Sequence, residues 1–72
     1  MTWPPALGTE VRASRTLRIP PTSRTIAAGH RGEVVAVRED YLGIECAVVR
    51  WDRERREVSY RPVCADLLGL ST

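Results

Sequence analysis

The longest patterned stretch of the chain is residues 30–52, where two runs rich in β-branched and apolar residues flank a short polar break. Val34, Val35 and Val37 lie in the first run, and Ile44, Val48, Val49 and Trp51 in the second. That composition suits a pleated, half-buried surface. Between the runs, Glu39-Asp40-Tyr41-Leu42-Gly43 supplies acidic residues that tolerate turn geometry and a glycine that takes positive φ without a steric penalty. The pattern predicts one β-hairpin against which the remaining segments pack.

Upstream, TEVRAS at residues 9–14 alternates, with Val11 and Ala13 on one face and Glu10 and Arg12 on the other, which predicts the first strand. Leu17 and Ile19 continue it in extended form until Pro20 and Pro21 stop any ladder. PPTSRTIAA at 20–28 is rich in turn formers and predicts a long loop whose Ile26 dips into the core. After the hairpin, DRERR at 52–56 is a charged turn, and EVSYR at 57–61 a short strand in which Val58 and Tyr60 share a face, ended by Pro62. VCADLLGL at 63–70 predicts a 3₁₀ turn and a last short strand, with Leu67, Leu68 and Leu70 closing the core. Short strands, turn signals between them and little helical periodicity together predict a small all-β barrel of about five strands. Closure would remove the exposed edges of an open sheet.

Seventy-two residues make one domain, expected over residues 9–70 behind a proline-bearing tail at 1–8. A chain this short buries only about 60% of the surface its unfolded form exposes, so modest stability is expected. With 43% hydrophobic and 28% charged residues, the composition is that of a globular protein and not of a disordered one. No run is long enough to span a membrane, and MTWPPALG lacks the basic and apolar regions of a signal peptide, so the expectation is a cytoplasmic protein.

All eleven basic residues are arginine, whose planar fork of donors pairs with carboxylate or phosphate and stacks on aromatic rings. Their distribution is uneven. Residues 1–38 carry six arginines against Glu10 and Glu33, whereas residues 39–72 carry five against seven acids. Such a split favours an oriented encounter with a charged partner. Cys46 and Cys64 follow no metal-ligand spacing and are expected to be reduced, a bridge across the barrel being the alternative.

At residues 29–37, GHRGEVVAV follows the pattern glycine, two residues, glycine, one residue, valine, two residues, valine. This resembles the KOW motif and, more widely, the second strand of SH3-like small barrels. With GTEVR at 8–12 before it, and VVRWD at 48–52 and a terminal Asp66-Leu67 after it, the order is similar to several bacterial SH3-like families. These include the photosystem I reaction-centre subunit of this fold, the nitrile hydratase β-subunit barrel and small accessory proteins of nitrogen fixation. The resemblance implies an SH3-like barrel with a long loop after the first strand and a 3₁₀ turn before the last. Within it Gly29 and Gly32 would permit a tight entry into the strand. Val34 and Val37 would fill the interior, their three-residue spacing implying a bulge.

Catalytic chemistry finds little support, for there is no nucleophile elbow, phosphate loop or metal-ligand set, and neither enzyme activity nor a cofactor is expected. His30 is expected as a turn residue bonded to the backbone, and the acids of 52–57 as a solvated, self-paired turn. The candidate binding residues are Arg12, Arg15, Arg18, Arg24 and Arg31 on or near the first strand and the long loop, together with Trp3, Tyr41 and Tyr60. Trp3 is either a cap over one end of the barrel or an exposed aromatic, and Trp51 either core or surface. Two functions use such a surface: docking on a larger protein as an interaction module or accessory subunit, or KOW-like binding of RNA or DNA phosphates.

Overall fold

The computed structural model describes residues 3–19 and 24–69. Strands β1 (Glu10–Arg12), β4 (Arg31–Glu39), β5 (Glu45–Trp51) and β6 (Glu57–Tyr60) form one antiparallel sheet in the order β1-β4-β5-β6. Strands β2 (Leu17–Arg18) and β3 (Thr25–Ile26) form a separate two-stranded ribbon. A 3₁₀ helix spans Pro62–Leu68 and ends on Gly69, whose φ of 64° places it in the left-handed region. The protein is therefore all-β apart from this helix, and among the described residues the two sheets do not close into a barrel.

The hairpin is the central pair, as its apolar runs predict. Its ladder runs from Gly32↔Trp51 to Glu39↔Glu45, with a register shift between Val34 and Ala36 that leaves Val35 as a bulge. The extra residue breaks strict alternation, and its consequence differs from the expectation at one position. Val34 is fully buried, but Val37, beyond the bulge, is about one-third exposed and does not fill the interior.

The inner face carries rows of partners across strands. Val11 pairs with Gly32, which pairs with Trp51, so three strands contribute one row. The missing side chain at Gly32 makes room for the indole: a Cβ there would stand 2.7 Å from Trp51 Cε3 and 2.9 Å from Val49 Cγ1. Val34, Val49 and Val58 form the next row, and Ala47 and Tyr60 another. Leu17, Ile19 and Ile26 of the ribbon and Leu68 of the 3₁₀ helix close over them.

Two segments depart from the sequence reading. Leu17 and Arg18 do not extend the first strand. They pair with Ile26 and Thr25, and the Ile19 amide donates to the Arg24 carbonyl at 3.0 Å. Leu17 and Ile19, read as extended chain, and Ile26, read as dipping into the core from the loop, are all buried, and the ribbon satisfies their backbone while they face the core. The second departure is at residues 63–69, which hold no strand because Pro62 at the start of the segment opens a 3₁₀ helix that continues to Leu68. Residues 20–23 of the expected loop, and Leu70, lie outside the described residues. Leu68 does close the core, with Leu67 half-buried against it.

Residues 3–8, expected as a tail, lie against the sheet. Pro5 is buried, Trp3 packs on the core, and the Gly8 amide donates to the Val34 carbonyl at 2.8 Å. Both cysteines are free, Cys46 buried and Cys64 half-buried. No helix among the described residues is long and apolar enough to cross a membrane.

Candidate interaction surface

The eight residues singled out by the sequence fall into three environments. Tyr60 is not a surface residue: it is buried, its ring meets Trp51, and its hydroxyl accepts the Trp51 Nε1–H at 3.1 Å. Burial pushes the Tyr60 hydroxyl pKa up, a nearby Cys64 sulfur adds to this, and the hydrogen bond from Trp51 opposes it. Trp51 is likewise core, at 1% exposure.

The two remaining aromatics lie at the tip end of the hairpin. Trp3 donates its indole N–H to the Glu45 carbonyl at 2.9 Å, where β5 begins, and so acts as a half-buried cap. Tyr41 is 89% exposed and Leu42 60%. Neither is loose, because Asp40 organises the loop beneath them. Its Oδ1 accepts the amides of Leu42 at 2.8 Å and Ile44 at 3.1 Å, and its own amide donates to the Ile44 carbonyl at 3.0 Å. Gly43 takes φ 78°, and its amide donates to the Asp40 carbonyl at 2.9 Å. Arg61, at the end of β6, reaches Asp40 Oδ2 with Nη2 at 2.8 Å. That oxygen is sealed from solvent, and among the described residues the Arg61 guanidinium is the cation paired with it. Burial opposes ionisation of the Asp40 carboxyl, but the Ile44 and Leu42 amides and the Arg61 charge outweigh it and hold the pKa below its ordinary value. Val63, two residues beyond Arg61, is also exposed.

The arginines lie elsewhere. Arg31 begins β4 and Tyr41 follows its end, so the length of a nine-residue strand, roughly 30 Å when extended, separates the two groups. Arg12 and Arg31 are direct cross-strand partners, as are Glu10 and Glu33. Like charges opposite one another repel. Glu10 offsets this by approaching both arginines, with 3.5 Å to Arg12 and 3.9 Å to Arg31. Arg15 and Arg18 are exposed and form no ion pair with a described residue.

Arg24 belongs to a groove of about 260 Å³, lined also by Ile26, His30, Asp52, Arg53 and Glu54. The 52–56 turn is not the solvated, self-paired loop its composition predicts. Glu54 is buried, accepts the amides of Arg55 at 3.0 Å and Arg56 at 3.3 Å, and faces Arg24 Nε at 3.5 Å. The Glu54 amide closes the turn on the Trp51 carbonyl at 3.0 Å, and Arg53 takes φ 65°, where glycine or asparagine is usual. His30 is bonded to the backbone as expected, its Nε2 lying 2.6 Å from the Asp52 carbonyl oxygen, so Nε2 carries the proton. Among the described residues no group of three or more His, Cys, Asp or Glu side chains is placed to hold a metal ion.

Sequence reasoning missed the Asp40–Arg61 and Glu54–Arg24 pairs. The aspartate opening a five-residue turn was a usable signal for the first, since Asp side chains commonly accept amides two residues on. Nothing in the local sequence points to the second. No known protein family, curated protein or solved structure matches this chain.

Proposed function

We propose that this protein is a non-enzymatic interaction module, a small accessory subunit that docks on a larger protein through an arginine and aromatic surface. The observation that carries the reading is the hairpin tip, where Tyr41 and Leu42 are exposed on a loop held by Asp40 and Arg61. A side chain presented on an ordered loop loses little further freedom on binding, and tyrosine is enriched at binding hot spots. Arg15 and Arg18, away from the tip, supply cations for acidic groups on the partner. Docking is favoured over phosphate binding because carboxylates of this chain already approach Arg12, Arg24 and Arg31. The scaffold in this reading is an SH3-like small barrel. Supporting it are a ribbon-bearing connection after β1, the β4-β5-β6 meander, and a 3₁₀ helix that returns to the first strand, the Ser14 amide donating to the Leu67 carbonyl at 3.0 Å.

Affinity capture with identification of the bound protein, comparing wild type with Tyr41→Ser/Leu42→Ser and with Arg15→Ala/Arg18→Ala, tests the reading. The tip variant is expected to lose the partner while keeping wild-type stability, and the arginine variant to bind it more weakly at low salt. Equal recovery by all three proteins would remove this surface from the account. Tight binding of RNA or DNA that falls steeply with salt would replace docking by phosphate recognition.

A further inference from the structure

The four-stranded sheet ends on one side at β6, and among the described residues the backbone of Glu57–Tyr60 makes no backbone hydrogen bond outside its ladder with β5. The opposite edge differs. At β1, a Cβ on Gly69 would lie 2.9 Å from the Arg12 carbonyl oxygen, so the turn after the 3₁₀ helix already crowds that edge. Strand β6 thus presents unpaired amides and carbonyls, the feature that recruits another strand.

We infer that β6 pairs with β6 of a second copy of this chain, antiparallel about a two-fold axis through Ser59. The argument is self-complementarity of the strand with itself. In the register that sets Ser59 opposite Ser59, Glu57 faces Arg61 of the other copy on one face of the ladder, and Val58 faces Tyr60 on the other. Moving the centre by one residue, to Val58, instead places Arg55 opposite Arg61, a like-charge pair. Moving it the other way, to Tyr60, places Val58 opposite Pro62, which has no amide, and sets Glu57 against Val63 in place of Arg61. Glu57 is exposed and forms no ion pair with a described residue. Arg61 keeps nearly half of its side chain accessible while holding Asp40, so its guanidinium serves both carboxylates. Val58 is half-buried against the core, and the pairing extends that apolar row across the axis. Because the axis passes through Ser59, each charge pair forms twice. A four-residue edge is short, so the association is weak and depends on concentration.

Sedimentation velocity on the full chain from micromolar to millimolar concentration is the test. Wild type is expected to shift from monomer to dimer. Glu57→Arg and Ser59→Arg, both at exposed positions, each set like charges face to face, and each should weaken the dimer about tenfold or more. Glu57→Arg mixed with Arg61→Glu should associate better than either alone, since both charge pairs then form across the axis, and circular dichroism checks that Arg61→Glu is folded. A wild type that stays monomeric throughout, or charge variants that dimerise as well as wild type, would overturn the inference. Tyr41→Ser/Leu42→Ser should dimerise normally, which separates this surface from the docking tip.

Discussion

The indole of Trp51 meets the ring of Tyr60 edge on, with centroids 6.3 Å apart and planes at 87°, and donates its N–H to the Tyr60 hydroxyl at 3.1 Å. The two residues come from adjacent strands, and both are buried. The hydrogen bond lets the indole N–H enter the core at little cost, because the Tyr60 oxygen accepts it. Tyr60→Phe leaves the indole N–H without its acceptor and is expected to cost about 1–3 kcal/mol in urea denaturation. Trp51→Ala removes the largest core side chain and should cost about 3–5 kcal/mol.

Tyr60 also gives a prediction at high pH. Burial raises its pKa above the ordinary 10.0, so the folded protein holds this proton more tightly than the unfolded chain does. The associated stability is complete below pH 10 and is lost as pH rises through the folded value. Wild type should therefore lose stability in that window faster than Tyr60→Phe, a difference measurable by denaturant midpoints on either side of it. Parallel pH profiles would show that the hydroxyl ionises as freely in the folded protein as in the unfolded chain.

Gly32 supports the same cluster from below. A methyl group there would stand 2.7 Å from Cε3 of the rigid indole, not from the end of a flexible chain, so the ring or the strand must move. Gly32→Ala is expected to destabilise by about 1–3 kcal/mol and to shift Trp51 fluorescence as its surroundings loosen.

These core relationships were legible in the sequence to different degrees. The hairpin followed from its valines and from the turn at 39–43, because local composition and periodicity specify both. The bulge followed from the spacing of Val34 and Val37, but not the exposure of Val37, which depends on where the strand runs past the core. Leu17, Ile19 and Ile26 lie among prolines and turn formers, and only their burial against Trp51 and its neighbours makes a ribbon of that segment. The candidate site was less legible still. Tyr60 alternates onto the inner face like Val58, so the same periodicity that marked its strand argued for the core. The partners of Asp40 and Glu54 are 21 and 30 positions away in sequence, beyond any local pattern.

Glu54 illustrates that distance. Its carboxylate joins the 52–56 turn to the residue before β3, satisfying two amides as it does so. Glu54→Ala strands both amides in a partly buried setting and should cost about 1–3 kcal/mol. Glu54→Gln keeps an acceptor for them and loses only the charge on Arg24, which is largely exposed, so its cost should be about 1 kcal/mol or less. Equal losses for the two variants would mean that charge, not amide satisfaction, dominates.

Arg53 sits in the same turn with φ 65°, a conformation that costs a side-chain-bearing residue about 1–2 kcal/mol and glycine almost nothing. Against this, glycine gains freedom in the unfolded chain. Arg53→Gly is therefore expected to be neutral or to stabilise by up to about 1 kcal/mol, whereas Arg53→Val should destabilise. A clear loss on Arg53→Gly would show that the arginine side chain holds the turn through its contacts along the groove.

Asp40 links the stability of the hairpin tip to acid. Burial alone would favour the protonated carboxyl, but the amides of Ile44 and Leu42 and the Arg61 guanidinium stabilise the anion more strongly, so its folded pKa falls below the ordinary 3.8. The unfolded chain then binds this proton first as pH drops. The stabilisation is present above about pH 4 and is lost as pH falls through the folded value. Asp40→Asn keeps an oxygen for the two amides but cannot pair with Arg61 as a charge. At neutral pH the variant should unfold at lower urea than wild type, and the gap should narrow as the carboxyl of the wild type protonates. A gap that persists unchanged into strong acid would assign the effect to amide geometry and remove the Arg61 pair from the account of how Tyr41 and Leu42 are held.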